Sequence, residues 1–157
     1  MNEENKYFQV SLKLILKNKE GEILLLKMPD TSKTMAGFYD LPGGRIKSEE
    51  AYDEFDGIIK REIEEELGKK AHYKITFKPV AIGRHNYFSQ RYQHQIDMMC
   101  IFFETQYLGG ELSISEEHGK YEWIKLDKNK LDKYFVRGLL EGMTNYFYIK
   151  EINNEEQ

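Results

Sequence analysis

Apolar Val10, Leu12, Leu14 and Leu16 alternate with Ser11, Lys13 and Ile15, close to the period of two expected of a strand with one buried face. The turn Asn18-Lys19-Glu20-Gly21 follows. Ile23 to Leu26 then reads as a returning, largely buried strand, so the two segments predict a hairpin. Phe38-Tyr39-Asp40-Leu41 is a short extended piece that Pro42-Gly43-Gly44 ends, because proline lacks a donor and paired glycines favour a turn. A long helix comes next. Beyond it, Lys74 to Lys78 alternates polar and apolar residues, and Gln95 to Thr105 is a strand rich in apolar and β-branched residues. Gly109-Gly110 is read as a turn and Tyr121 to Leu126 as a short strand carrying the only tryptophan, Trp123. Leu131 to Lys150 has helical character, and Asn153 to Gln157 is a polar tail expected to fray. No internal repeat or low-complexity linker divides the chain. The expected organisation is one domain over residues 1–152, with a mixed sheet covered by at least two helices, followed by the tail 153–157.

Composition narrows this picture. The 157 residues are 40% hydrophobic and 32% charged, the balance of a soluble globular domain. The longest apolar run, Met98 to Phe103, is far short of a membrane span, and the N-terminal residues Met1 to Lys6 are polar, so neither an anchor nor a signal peptide is expected. The single cysteine, Cys100, lies inside that run with no disulfide partner in the chain, which points to a buried strand position and a cytoplasmic home. A net charge of -4 argues against general nucleic-acid binding. The acid is also concentrated: Glu49 to Glu66 holds nine carboxylates against Lys60 and Arg61. Such a segment would repel phosphate unless a cation sits between them.

The helix within that segment has an informative projection. At 100° per residue, Ile58, Ile59, Ile63 and Leu67 spread across one side, Glu62 and Glu66 fall between Ile58 and Ile59 on the same side, and Glu65 lies just outside Ile58. Lys60 and Glu64 occupy the opposite arc. Inward carboxylates are costly to desolvate, and Glu62 with Glu66 is a like-charge pair at i, i+4. A hard divalent cation such as magnesium, which prefers oxygen ligands and bridges carboxylates to phosphates, would compensate both.

Gly44-Arg45-Ile46-Lys47-Ser48-Glu49-Glu50 followed by Arg61-Glu62-Ile63-Glu64-Glu65-Glu66-Leu67-Gly68 resembles the Nudix box, and Leu41-Pro42-Gly43-Gly44 resembles its lead-in, with Tyr39 where many members carry tryptophan. The chain departs from the pattern in two places. Ten residues separate Glu50 from Arg61, three more than the family spacing; Asp53 would restore that spacing but would put Lys47 at the upstream glycine position, so Glu50 and an enlarged loop are preferred. Lys69 replaces the aliphatic residue that usually closes the box. The resemblance implies a Nudix-like α/β/α sandwich, an α/β fold with a mixed β-sheet. It also implies a magnesium-dependent hydrolase, with manganese a substitute, in which water attacks phosphorus in a diphosphate linkage of a small nucleotide-like substrate. Glu62, Glu65 and Glu66 are then the metal ligands, with the carbonyl of Gly43 or Gly44 a further one, and Arg61 orients the carboxylates.

Two candidates stand for the general base: Glu62, and Glu117 in Glu116-Glu117-His118, where Glu117-His118 followed by Trp123 resembles a segment of many relatives and Glu117 could instead be a fourth ligand. His118 is read as a loop-packing residue. The segment His85 to His94 mixes aromatic, basic and amide groups and is expected as a loop between strands. Within it Tyr87 and Arg91, with Arg45 beside the glycines, are candidate substrate contacts, since aromatic faces stack on bases and arginine pairs with phosphate oxygens. Pro79 lies too close to the box for the proline of ADP-ribose hydrolases. A homodimer is among the assemblies this reading allows. The competing class is a nucleotide or RNA-end binding module disabled by the enlarged loop. A diphosphate isomerase is less favoured, because Cys100 has only apolar neighbours.

Overall fold

The computed structural model describes residues 5–155. Strand β1 (Gln9–Lys17) lies at the centre of the sheet, antiparallel to β2 (Ile23–Lys27) on one side. On the other side it runs parallel to β6 (His94–Gly110) from Gln9 opposite Met98 to Lys17 opposite Gln106. The short β3 (Tyr39–Asp40) pairs with β2, β4 (Gly43–Arg45) with β1, β7 (Lys120–Ile124) with β2, and β5 (Ala71–Ser89) with β6, all antiparallel. The sheet is therefore mixed, as expected.

Two helices sandwich it. Leu12, Leu14 and Leu16 of β1 join Leu24, Leu26 and Phe103 against Ile58, Ile59, Ile63 and Leu67 of α1 (Phe55–Leu67). On the opposite face Ile15, Ile23, Leu25, Cys100 and Phe102 meet Leu139, Met143 and Tyr146 of α2 (Arg137–Glu155). This corrects the expectation of one buried face for β1. A central strand with a helix on each side buries both, and every residue from Ser11 to Leu16 is buried, Lys13 included. Cys100 is buried as expected, and burial pushes its thiol up to about 11. Among the described residues no helix is long and apolar enough to cross a membrane.

Five other boundaries move. Pro42-Gly43-Gly44 does not simply turn: after Pro42 the chain continues as β4, because the positive φ of Gly43 (125°) lets it swing onto β1. The extended run at Lys74 to Lys78 is part of a longer β5, interrupted by register shifts between Ile75 and Pro79 and between Pro79 and Ala81. The loop expected over His85 to His94 is mostly ladder, with His85 opposite Met98 and Ser89 opposite His94, leaving only Gln90–Gln93 to turn. Gly109 and Gly110 are the last residues of β6 rather than a turn. At the C-terminus a 3-10 segment (Lys128–Lys133) precedes α2, which then runs through Asn153 to Glu155, where a frayed tail was expected; residues 156 and 157 lie outside the described residues.

Candidate functional site

The carboxylates of α1 meet the glycine strand at one end of the sheet. Because α1 lays its isoleucines on β1, the residues one turn apart between them, Glu62 and Glu66, are carried inward, and each is only 8% exposed. Glu66 Oε2 accepts the Gly43 N–H at 2.7 Å. Glu62 packs so closely on Gly44 that a methyl group added there would lie 2.4 Å from its Oε2, so any side chain at this position would displace that carboxylate. Gly43 is constrained too: its added carbon would meet the Leu12 carbonyl oxygen at 2.1 Å. Gly43 and Gly44 thus let this strand approach both β1 and the acidic helix closely.

Arg61 gathers the remaining acids. Its guanidinium makes a two-pronged contact with Glu50, through Nε to Oε1 and through Nη2 to Oε2 at 2.9 Å. Nη1 reaches Glu62 Oε1 at 2.7 Å and Glu65 Oε2 at 3.0 Å. Glu50 is buried in a 3-10 turn (Ser48–Glu50), where it also accepts the Lys47 N–H at 2.9 Å. The hydrogen bonds from Arg61 hold its carboxyl below the usual range against the opposing effect of burial. Asp53, the rival for the first acidic position, is exposed, as is the whole stretch from Ala51 to Glu54 between that turn and α1. Glu65 is the outermost acid, its side chain 53% exposed and 3.7 Å from the Lys47 ammonium.

Glu66 is electrostatically under-compensated. Burial pushes its pKa up to about 8, although the charge of Lys13 and the Gly43 N–H act in the other direction; Asp40 and Glu62 add to the rise. Among the described residues no three His, Cys, Asp or Glu side chains converge at metal-ligand spacing, and Arg61 lies among the acids that could do so. The donor set nevertheless fits a hard divalent cation: it is all oxygen, Glu50, Glu62 and Glu66 are buried, and a bare glycine backbone faces Glu62.

The other sequence candidates separate. Arg45 is exposed on β4 and its Nη1 donates to Tyr87 Oη on β5 at 3.1 Å, so these two candidates meet. Arg91 does not join them: it lies in the exposed turn of the β5–β6 hairpin with its guanidinium 5.3 Å from the Tyr92 ring centre. The segment after β6 closes the end of α1, with Ser113 and Ser115 N–H donating to the Leu67 and Glu66 carbonyls. That brings the acidic loop to the helix end, but Glu117 itself is exposed, while His118 is buried with its ring 3.4 Å from Ser115 Oγ and its pKa lowered by burial.

Lys13 and Asp40 escaped the sequence reading. The Lys13 ammonium donates to Asp40 Oδ1 at 2.7 Å and to the carbonyls of Leu41 and Gly43 at 3.3 and 3.5 Å. Burial opposes its charge, yet Asp40 and Glu66 outweigh that and raise its pKa. The available signal was a cation flanked on both sides by leucines, Leu12 and Leu14; period-two alternation assigned it to solvent.

Similar proteins share this architecture. The chain is 30% identical over 116 residues to the nucleoside triphosphatase NudI of Escherichia coli O139:H28, spanning 68% of this chain and 74% of that one. A MutT protein of Methanosarcina mazei Go1 superposes with a TM-score of 0.59 at 25% identity over 97% of both chains. The E. coli ORF135 protein shares the fold with a TM-score of 0.61 at 18% identity over 91% of each chain. The family described as NUDIX domain matches residues 8–141, a span that takes in the central sheet, the glycine strand and all of α1, and the chain accordingly belongs to that family, the Nudix hydrolases.

Proposed function

We propose that this Nudix-type pyrophosphohydrolase cleaves the diphosphate linkage of a nucleoside triphosphate or a nucleoside diphosphate-linked substrate, by attack of water at phosphorus, in a magnesium-dependent reaction that manganese also supports. The observation that carries this reading is the burial of Glu62 and Glu66 against the glycine strand, with Glu66 insufficiently matched by cations. Buried acids of this kind cost several kcal/mol each when unpaired, so a site that retains them has a use for a cation. Glu62, Glu65, Glu66 and the Gly44 carbonyl would hold magnesium, which when bound acidifies water and neutralises phosphate oxygens. The Gly43 carbonyl is the poorer choice because Lys13 already donates to it.

The protein's own groups divide the remaining work. Arg61, braced by Glu50, holds Glu62 and Glu65 in place. Glu62 is favoured over Glu117 as proton acceptor, being buried beside the glycines whereas Glu117 is exposed. Arg45 and Tyr87, which contact each other, would grip phosphate and base, and Arg91 at the hairpin tip would contact the distal part of the substrate. A nucleoside triphosphate is the leading substrate class because the NudI relative is a nucleoside triphosphatase. The buried, unpaired Cys100 suits a reducing cytoplasm.

Incubation with nucleoside triphosphates, nucleotide sugars and dinucleoside polyphosphates, with product analysis, tests this reading. Magnesium-dependent release of a nucleotide product is expected from at least one class, and Glu66→Gln should abolish it while circular dichroism stays unchanged. Retained nucleotide binding without turnover of any substrate would instead favour a binding module.

A further inference from the structure

Lys13 is an unusual residue for its place. It lies on the central strand, 8% exposed, between Leu12 and Leu14, which are fully buried. A well-packed apolar side chain at such a position is often as stable as a buried ion pair or more so, so stability gives little reason to keep a lysine there. All its bonds go to one segment. The three contacts, Asp40 Oδ1 at 2.7 Å, the Leu41 carbonyl at 3.3 Å and the Gly43 carbonyl at 3.5 Å, span four consecutive residues leading into the acidic site. Asp40 Oδ1 in turn accepts the Leu41 N–H at 2.7 Å, and the Pro42 carbonyl accepts the Leu14 N–H at 2.8 Å. At the end of this chain of bonds the Gly43 N–H points at Glu66 Oε2.

We infer that the Lys13–Asp40 pair is a positioning device that fixes the Asp40-to-Gly43 backbone, and through the Gly43 N–H sets the orientation of the Glu66 carboxylate for metal binding. Neither residue touches the metal or the substrate in this scheme. The link to metal rests on the site reading given above; the link to Gly43 does not. The backbone at Gly43 needs such support: its φ of 125° has no intrinsic preference to hold it, and glycine explores more conformations than any other residue. A strand pairing alone fixes the register of Lys13 opposite Gly43, whereas the ammonium fixes the carbonyls on either side of Pro42.

The test is the double variant Lys13→Met/Asp40→Asn in the full-length protein. It removes one positive and one negative charge together, so the net charge of the protein is unchanged, and removal of both partners spares the fold the cost of a buried unpaired charge. Magnesium binding is measured by calorimetry without substrate, and exchange of the Gly43 amide hydrogen by NMR without metal. The expected result is magnesium affinity weakened about tenfold or more, the usual consequence of losing support behind a ligand, together with about tenfold faster Gly43 exchange and an unaltered circular dichroism spectrum. Unchanged Gly43 exchange, or magnesium affinity equal to or tighter than that of the parent protein, would overturn the inference. Glu66→Gln serves as the control. If it binds magnesium as the parent does while the double variant still accelerates Gly43 exchange, the metal-site reading fails and the backbone-positioning role of Lys13 stands.

Discussion

Arg61 is the residue on which the acidic site is organised. One guanidinium meets Glu50, Glu62 and Glu65, three acids from the 3-10 turn and from α1 on either side of the exposed stretch Ala51 to Glu54. A planar fork suits this, because it can satisfy two oxygens of one carboxylate and still reach others. The residues between Glu50 and the helix do not disturb the contact, since Ala51 to Glu54 are exposed while Glu50 stays buried. Glu50→Gln is accordingly expected to lower kcat/KM about 10–100-fold, as losses behind a metal ligand commonly do, whereas Asp53→Asn should leave it within about twofold. Steady-state kinetics on the two purified variants decides; a larger loss in Asp53→Asn would mean that the box is aligned on the wrong acid. The sequence made the inward set of acids legible because Glu62 and Glu66 share a helical face with four apolar residues. It hid Lys13 because a period of two can mark which residues share a face but not whether the second face is covered.

At the scale of elements, β1, β6 and α2 are tied together at the end of the sheet by a second ionic group. Glu104 on β6 accepts from Lys17 of β1 at 3.0 Å, from Lys150 of α2 at 3.2 Å and from Tyr146 Oη of α2 at 2.9 Å. Burial works against its charge, but the hydrogen bonds from Lys17 and Tyr146 and the charges of Lys17 and Lys150 prevail and hold its pKa below the ordinary value. A depressed carboxylate pKa means that the unfolded chain binds more protons near pH 4. The stability it confers is therefore present above about pH 4.3, the value for a free glutamate, and is lost as pH falls through the lower folded pKa. Glu104→Gln should reduce stability at pH 7 by roughly 1 kcal/mol, allowing for the partial solvent exposure of the group, and the difference should close toward pH 3. Urea titrations of both proteins at the two pH values measure it; a difference that does not shrink in acid would contradict the assignment. These cross-ties were not readable beforehand. Leu131 to Lys150 carried a helical pattern, but nothing in the order of residues indicates which strand a helix will cross. The β5–β6 hairpin was missed from His85 to His94 for a related reason: the covered positions there are His85, Tyr87 and Ser89, residues with polar atoms, so the apolar alternation that marks a strand disappears although one face is partly buried.

For the whole molecule, the acidic site sits where three constructions coincide: a central strand covered on both faces, a glycine strand paired beside it and packed on Glu62 and Glu66, and a helix whose apolar side brings two glutamates inward. The fold class, the helix and the family followed from local patterns. The partnership of β1 with β6, parallel and more than eighty residues apart in sequence, did not, since nothing local records a long-range pairing. The central claim is that water attacks phosphorus at a magnesium site built on Glu62, Glu65 and Glu66. Its most direct test is turnover of the best substrate in 18O-labelled water with magnesium, followed by mass spectrometry of both products, for the parent protein and Glu66→Gln. One 18O atom should appear on a phosphoryl group of one product, and the variant should give no labelled product above background. Label on the carbon-linked oxygen of a released organic group, or equal labelling by Glu66→Gln, would contradict the account.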